Sequence, residues 1–524
     1  MRKNLLALSI AALVGGAANA AVFEATGNAT NAHPSGLAPA SALTVSTTGV
    51  GHILTVPYFT TQGTNKTLLN IVNTDTVNGK AVKLRFRGAT NSDDIFDITI
   101  FLSPGDMWTA DVAADASGVS RLVTNDTSCT LPYKEDIKAL GGKFKTNRVI
   151  DGAAVQTREG YIEILNTADI PATLVTAVTG AVGTTANPLF TATKHATSGA
   201  TAGTPTCATA VLDLQENDIQ AFNATAPNAW NVRGYNYPSG GLMANWTVVN
   251  VAGFASFSGT ATAVAANGTA NIVVFPQTDA AQAATNLTAD PLLVTGRVSS
   301  AMYDFPDLST PYIAAVAAGA AATQADTLTQ ALATTSVTNE FLTGSGFSTD
   351  WVFSQPTRRY HVAVDYAATG GNRLVFRDGT ATTSGTGTSY FAPSNTRLNV
   401  AGQITGAAAN SVACVTPGQL RAYNREELTR STFVISPATA LNLCGEVSVL
   451  SFNNAGESVM NGSLTRNNLE TGTGLVEGWF RVATPSAGLV AGAGAVQGLP
   501  IIGYAAAKVT GVNLGGAWTH RTVR

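Results

Sequence analysis

Three aspartates, Asp93, Asp94 and Asp97, stand beside Asn91 just before an alternating apolar run. Carboxylate and amide oxygens are the ligands that calcium prefers, and two carboxylates placed across a sugar bond form the catalytic pair of glycosidases. Asn, Ser and Asp are also common in turns, because their side chains hydrogen-bond the nearby backbone. We therefore favour a turn here, with a calcium site as the first alternative and a glycoside hydrolase as the remaining enzymatic one.

Histidine is the usual general base and metal ligand at neutral pH, and the chain has only five. They form no HExxH motif, and the sequence has no GxSxG nucleophile elbow and no GK[ST] phosphate loop. His361 and Asp365 fall on one face of a predicted strand, but a single strand cannot complete a catalytic triad. We therefore predict that the chain is not an enzyme. The histidines are His33, His52, His195, His361 and His520.

Exposed aromatic rings are the other group that could carry a function, since they can stack on a sugar or a partner surface. Most of the six tryptophans lie in or beside apolar runs, which predicts core packing. Trp230 is the exception, because it shares a loop rich in Gly, Pro and Asn with Tyr235 and Tyr237. We predict a ligand-binding loop there, with a glycan as the candidate ligand.

The chain has four cysteines, and an even number in an oxidising compartment implies two disulfides among three possible pairings. Short loops close more readily than long ones, which favours the sequence neighbours. We predict that Cys129 pairs with Cys207 and Cys414 with Cys444. A zinc site is the alternative, but no cysteine has a second cysteine or a histidine at ligand spacing.

The first twenty residues have the pattern of a secretory signal peptide. Arg2 and Lys3 precede an apolar stretch over residues 5–14, and Ala18-Asn19-Ala20 provides small residues for cleavage. We expect an exported protein at the cell surface or in the extracellular space, with the periplasm as a less favoured site. No transmembrane span is expected after cleavage, because the signal is too short and wrongly flanked to be one.

Charge is sparse, with 12% charged residues and a formal net charge of −3. Nucleic acid is therefore not an expected partner, because binding phosphates requires a concentrated basic patch. The nearest basic stretch, residues 134–148, has acids between its cations and is interpreted as a solvated face.

Apolar and charged side chains alternate along one predicted strand. The apolar set is Val82, Leu84 and Phe86, and the charged set is Lys83, Arg85 and Arg87. This alternation predicts a half-buried strand whose cations face water, so Phe86→Asp should abolish folding and Arg85→Asp should be tolerated. Asn78-Gly79 predicts a type I′ turn that joins this strand to the apolar run 68–72 in a β-hairpin. A second sheet is needed to cover the apolar face.

Strand signals recur along the chain, whereas helix signals are few. The strands are predicted at 53–59, 96–102, 161–165, 246–251, 272–275, 351–353, 362–366, 374–376, 447–452 and 479–482. Helices are predicted over the alanine-rich residues 311–332 and over residues 419–429.

The length of 524 residues favours two domains. We predict a mainly all-β chain with two antiparallel β-sandwich, Ig-like domains and one or two short Ala-rich helices. The predicted divisions are a signal peptide (1–20), an extended arm (21–50), a sandwich with long loops (51–300), a helical connector (301–345) and a second sandwich (346–524).

Several stretches, in this order, resemble landmarks of a family of exported proteobacterial cell-surface proteins. They are "LLNIVNTDTVNGKAVKLRFRGATNSDDIFDITIFLSPGDMW", "EGYIEIL", "TDWVFSQPT", "GEVSVLSF" and "GLPIIGY". The resemblance covers most of the mature chain. It implies location at the cell surface, and no activity or functional residue comes with it.

Three functions are compatible with these observations. The first is a non-enzymatic cell-surface structural protein, such as a surface-layer or coat subunit, which self-associates or joins the cell envelope. The second is an adhesin or glycan-binding module. The third is an outer-membrane β-barrel, which is less favoured because the strand runs are short of the roughly 9–11 residues that cross a bilayer.

Overall fold

The computed structural model of the chain describes residues 42–90, 92, 94–146, 149–175, 182–199, 202–216, 233–236, 238–250, 252–253, 255–267, 324–357, 363–364, 375–376, 412, 414–484, 490–491, 494–495, 498–509 and 514–524. The predicted signal peptide, the predicted strand 272–275 and most of the predicted arm lie outside these residues.

The first half of the chain is built mainly from strands. They are β1 (Ala42–Val45), β2 (Ile53–Thr60), β3 (Asn65–Asn73), β4 (Gly79–Gly88), β5 (Asp94–Leu102), β6 (Met107–Ala114), β7 (Ser120–Val123), β8 (Cys129–Leu131), β9 (Glu159–Ile170), β10 (Thr173–Val175), β11 (Val182–Ala186), β12 (Leu242–Asn250), β13 (Ala255–Thr260) and β14 (Thr262–Asn267). The helices of this half are α1 (Lys134–Ala139), α2 (Pro188–Thr193) and α3 (Thr209–Glu216), with 3-10 turns at Ile150–Gly152 and Ala154–Thr157.

The second half opens with one helix, α4 (Gln324–Leu332), and continues in strands. They are β15 (Ala333–Thr334), β16 (Ser336–Leu342), β17 (Phe347–Ser354), β18 (Ala363–Val364), β19 (Val375–Phe376), β20 (Cys414–Val415), β21 (Leu420–Tyr423), β22 (Thr429–Arg430), β23 (Val434–Ser436), β24 (Leu443–Cys444), β25 (Val447–Phe452), β26 (Arg466–Glu470), β27 (Glu477–Ala483), β28 (Val490–Ala491), β29 (Gly494–Ala495), β30 (Leu499–Pro500), β31 (Ile502–Val509), β32 (Leu514–Thr519) and β33 (Arg521–Val523).

Four large sheets organise these strands. Sheet A has the order β1-β14-β2-β9-β4-β5-β8, and sheet B has the order β13-β12-β3-β6-β7. Sheet C has the order β22-β21-β27-β16-β33, and sheet D has the order β23-β26-β25-β17-β31-β32. The β25–β26 pair is parallel, and the other neighbours in these sheets are antiparallel. The prediction of a mainly all-β chain with antiparallel sandwiches and short helices is confirmed.

Sheets A and B form a sandwich around one apolar core. Val82, Leu84 and Phe86 of β4 lie in this core, together with Ile71 of β3 and Trp108 of β6. The predicted second sheet over the apolar face of β4 is therefore present as sheet B. Burial of large aliphatic and aromatic side chains of this kind is the main driving force of such a fold.

The opposite face of β4 is buried too, which contradicts the prediction that its cations face water. Lys83, Arg85 and Arg87 have no solvent exposure. Lys83 Nζ lies 2.9 Å from Asp97 Oδ2, and Arg87 Nε lies 3.0 Å from Glu163 Oε2. The predicted alternation along β4 is present, but its second face is covered as well, and charged groups on neighbouring strands replace the water.

The predicted β3–β4 hairpin is wrong, because the two strands belong to different sheets. β3 pairs with β12 and β6 in sheet B, whereas β4 pairs with β5 and β9 in sheet A. The link between them turns on Asp75, whose carboxylate accepts hydrogen bonds from the backbone N–H groups of Val77 and Asn78. This Asx-type turn carries the chain across the sandwich instead of reversing it within one sheet.

Sheets C and D form a second sandwich. Its core contains Phe341 and Phe480 from sheet C and Trp351, Phe353 and Phe452 from sheet D. The predicted helix over residues 419–429 is wrong, because β21 and β22 occupy this segment. The other predicted helix is present in its last part as α4, and residues 311–323 lie outside the described part of the chain.

The central strands of sheet D, β17, β25 and β31, are largely buried on both faces, because their second face packs against the first half. Val352, Val449 and Tyr504 belong to the core of sheets A and B. The ring centroids of Tyr504 and Trp246 lie 4.5 Å apart. Glu159, at the start of β9, reinforces this contact by accepting hydrogen bonds from the backbone and hydroxyl of Ser463. The division into two domains stays a prediction, and the described residues show the halves joined by one core.

Both predicted disulfides are confirmed, Cys129–Cys207 and Cys414–Cys444. Cys129 lies in an apolar cluster that also contains Leu189 of α2 and Leu212 of α3. This disulfide therefore ties the α2–α3 segment to sheet A. Disulfides of this kind persist outside the reducing cytoplasm, so the chain is a protein of an oxidising, non-cytoplasmic compartment.

We predict that Arg85→Ala lowers the free energy of unfolding by about 3–5 kcal/mol, because it leaves the buried carboxylates of Asp94 and Asp97 without a nearby guanidinium. Arg121→Ala is the matched control: Arg121 is exposed on β7, and the expected change is within about 0.5 kcal/mol. Urea unfolding of the two variants tests this. Equal, small losses would contradict the buried position of Arg85.

Candidate binding surface

Among the described residues, no other sheet covers the outer face of sheet C. Along β27, Phe480 and Val482 are buried in the core while Trp479 and Arg481 are exposed. Glu340 on β16 is the direct cross-strand partner of Trp479 and is also exposed. The period of two along these strands thus divides sheet C into an apolar inner face and an outer face of charged and aromatic side chains.

Trp479 stacks on a second aromatic ring of this face. Tyr423 on β21 is its cross-strand partner, and the two ring centroids lie 4.0 Å apart at an interplanar angle of 10°. Such a pair contributes about 0.5–1.5 kcal/mol beyond the area it buries. The stacking holds the indole in one orientation while 39% of Trp479 remains exposed.

A cleft of about 650 Å³ opens beside Trp479. Its walls come from β16, β27, β33 and the segment that follows β21. The residues that line it are Thr338, Asn339, Glu340, Leu342, Asn424, Arg425, Glu477, Gly478, Trp479 and Arg521. The cleft therefore combines one flat aromatic ring with carboxylate, amide and guanidinium groups, which is the mixture that a polar ligand with one apolar face requires.

Arginines form a row across the same face. Arg421 on β21 lies directly opposite Arg481 on β27. Arg481 in turn lies opposite Thr338 on β16, whose other cross-strand partner is Arg521 on β33. Like charges placed directly opposite each other destabilise a sheet. Within the described residues, neither Arg421 nor Arg481 lies at ion-pair distance from a carboxylate.

The acids of the face are held by the remaining arginines. Arg425 Nη1 lies 3.2 Å from Glu477 Oε1, and Arg521 Nη1 lies 3.9 Å from Glu340 Oε1. All four side chains are at least 43% exposed, so these pairs are weak and screened by salt. A charged ligand can replace one partner of such an ion pair at a small cost in free energy.

The predicted acidic cluster does not form one open site. Asp94 and Asp97 are buried and face Arg85, with Arg85 Nε 3.4 Å from Asp94 Oδ2. Asp93 lies outside the described residues. In the part of the chain that the structure describes, no group of three or more His, Cys, Asp or Glu side chains could hold a metal ion. The calcium site stays a prediction.

The predicted aromatic loop is represented by one of its three residues. Tyr235 is buried, with 2% exposure, in the cluster around Cys129, so its ring does not face a partner. Trp230 and Tyr237 lie outside the described residues. Trp108, Trp246 and Trp351 are buried, as the sequence predicted. The sequence did not single out Trp479 as a surface residue, although its alternation with Phe480 and Val482 indicated that it lies on the opposite face of the strand from them.

Two histidines are buried and held by backbone carbonyls. His52 Nε2 lies 3.1 Å from the Pro238 carbonyl, and burial lowers the pKa of His52 to about 4. His520 Nε2 lies 2.9 Å from the Val352 carbonyl, and burial lowers the pKa of His520 to about 3. Both therefore act as neutral parts of the core. His33 and His361 lie outside the described residues.

His195 bridges two loops next to the Cys129–Cys207 disulfide, an arrangement that the sequence did not reveal. Its Nδ1 lies 2.7 Å from Ser103 Oγ and 3.3 Å from Asp106 Oδ2, and its Nε2 lies 3.1 Å from Thr127 Oγ1. The order of hydroxyl, imidazole and carboxylate resembles a triad. The Thr127 hydroxyl, however, donates to the Gly203 carbonyl. The hydrogen bonds of His195 and Thr127 therefore connect the loops to each other.

No protein-family model matches the chain, and no curated protein and no solved structure is significantly similar to it. Among the described residues, no helix is both long enough and apolar enough to span a membrane.

We predict that acid destabilises the protein through its buried histidines. Their pKa values in the folded state, about 4 for His52 and about 3 for His520, lie below the ordinary value of about 6.5. The unfolded chain therefore takes up protons first, and stability that is complete above pH 6.5 is lost as the pH falls. Between pH 7 and pH 5 the loss is about 2 kcal/mol for each histidine.

Urea unfolding of the wild type, His52→Gln and His520→Asn at pH 8, 7 and 5 measures this loss. Each variant should lose about 2 kcal/mol less than the wild type between pH 7 and pH 5. Between pH 8 and pH 7 the variants and the wild type should change alike. An identical loss in all three proteins between pH 7 and pH 5 would disprove the assignment.

Proposed function

We propose that the chain is an exported, non-enzymatic protein of the cell surface that binds a glycan through the outer face of sheet C. The observation that carries the proposal is the Trp479–Tyr423 stack, which stands exposed beside the cleft. The two disulfides support export, because they belong to an oxidising compartment.

The aromatic stack suits a sugar because a pyranose ring has one face of C–H groups and a rim of hydroxyls. The indole of Trp479 offers an apolar plane to the first, and Glu340 and Arg521 offer an acceptor and donors to the second. Strands hold all three side chains, so the site exists before the ligand arrives and little conformational entropy is lost on binding.

The non-enzymatic part of the proposal is supported by the position of two buried carboxylates whose pKa values are raised. Burial raises the pKa of Glu159 and of Asp350, and both carboxylates accept hydrogen bonds from the protein itself. A carboxylate with a raised pKa in an open cleft would suggest an acid–base catalyst. Here, in the described residues, these two lie at the junction of the sheets, away from the cleft beside Trp479.

We predict that Trp479→Ala weakens binding to the polysaccharides that the wild type binds by about tenfold, the value of one stacking contact. Trp518→Ala is the matched control, because Trp518 is 38% exposed on β32 of sheet D, and its affinity should equal that of the wild type. Affinity electrophoresis against a panel of soluble polysaccharides measures this. Wild-type affinity in Trp479→Ala would refute the binding surface.

A second candidate function, a surface-layer or coat subunit, is favoured by the edge of sheet D. β23 is the last strand of that sheet, and Val434 on it is 70% exposed. An exposed apolar edge strand is a template for pairing with a strand of another copy. Edge contacts that do not close on themselves would build an extended layer from one subunit.

We predict that Val434→Lys abolishes self-association of the mature protein, because a charge on the edge blocks strand pairing. Val77→Lys is the control, since Val77 is 71% exposed in the link before β4. Sedimentation velocity with and without calcium would show the assemblies. A wild type that stays monomeric in both conditions, or a Val434→Lys variant that assembles normally, would exclude this edge.

A further inference from the structure

Thr338 lies between two arginines that have different roles on the outer face of sheet C. Arg481 is its partner on β27, and Arg521 is its partner on β33. Neighbouring strands are about 4.8 Å apart, so the register places Arg481 and Arg521 on the same face, one on each side of Thr338. Trp479 lies two residues from Arg481 on the same face, one side-chain repeat along the strand.

Among the described residues, carboxylates do not balance the positive charges around this point. Arg481 faces Arg421 across the strands, and the described residues place no carboxylate at ion-pair distance from either side chain. Arg521 has one acidic neighbour, Glu340, at 3.9 Å, the loosest ion pair of the face. An anion above Thr338 would therefore relieve repulsion between arginines without breaking a strong contact.

We infer, on the basis of the proposed glycan-binding function, that the ligand is an acidic polysaccharide whose sugar carboxylates bind between Arg481 and Arg521. One pyranose ring stacks on Trp479, and its carboxylate lies above Thr338. The guanidinium fork matches a carboxylate in two parallel hydrogen bonds, which makes arginine the best residue for this contact. A neutral glycan would use the tryptophan but leave the arginine row unused.

The first measurement compares polygalacturonate with neutral dextran on the mature full-length protein. The wild type should bind polygalacturonate at least about tenfold more tightly than dextran, because only polygalacturonate offers carboxylates to the arginines for charge-assisted contacts. Rising salt should weaken the binding of polygalacturonate and leave that of dextran unchanged.

Three variants separate the contributions. Arg481→Gln should lose about tenfold in affinity for polygalacturonate and none for dextran, and Trp479→Ala should lose affinity for both. Arg121→Gln, which removes an exposed arginine of β7 in the first half, should behave as the wild type. Thermal unfolding of each variant verifies that the fold is retained.

The outcomes distinguish the inference from the function on which it rests. Equal affinity for the two polysaccharides, with loss only in Trp479→Ala, would overturn the acidic ligand and keep the binding surface. Polygalacturonate binding that is lost in Arg481→Gln but unchanged in Trp479→Ala, and that inorganic phosphate displaces, would reduce the site to an anion site and overturn the inference. Binding unchanged in both variants would overturn the inference and the proposed function together.

Discussion

The structure depends on the burial of charge in the middle of sheet A. β4 places its apolar residues in the core and its cations against a second covered face, so each of those cations needs an anion on a neighbouring strand. Asp97 on β5 and Glu163 on β9 provide two of them. A shift of one residue in β4 would move Arg85 and Arg87 into the apolar core. The ion pairs therefore fix the register of three adjacent strands, although they add little net stability.

Sheet A, whose register is fixed in this way, supports the second half of the chain through hydrogen bonds. Tyr161 on β9 donates a hydrogen bond to the Pro356 carbonyl, and the Glu446 amide donates to the Ala89 carbonyl. The central strands of sheet D are thereby held between the first sandwich and sheet C. Within the described residues, the outer face of sheet C is the broad face of the second sandwich that faces solvent, and the aromatic stack and the arginine row lie on it.

The two candidate functions use different parts of this framework. The proposed glycan binding would use the outer face of sheet C, whereas the proposed assembly would use the β23 edge of sheet D. One subunit could therefore join its neighbours and hold a polysaccharide at the same time. His195 connects neighbouring loops through its hydrogen bonds, and the buried Glu159 connects the two halves of the chain. These polar contacts therefore make the structure more rigid.

The sequence by itself determined the local and covalent features of the protein. Alternation of period two identified the strands, such as Val447–Phe452, because the side chains of a strand point to opposite faces whatever lies around them. The expected oxidising compartment, together with the short loops between neighbouring cysteines, identified both disulfides, including Cys414–Cys444. Only the tertiary structure decided that Arg85 is buried, that β3 and β4 lie in separate sheets, and that Trp479 meets Tyr423 and the arginine row. Each of these depends on contacts between segments far apart in the chain, and alternation along one strand does not specify what covers either of its faces.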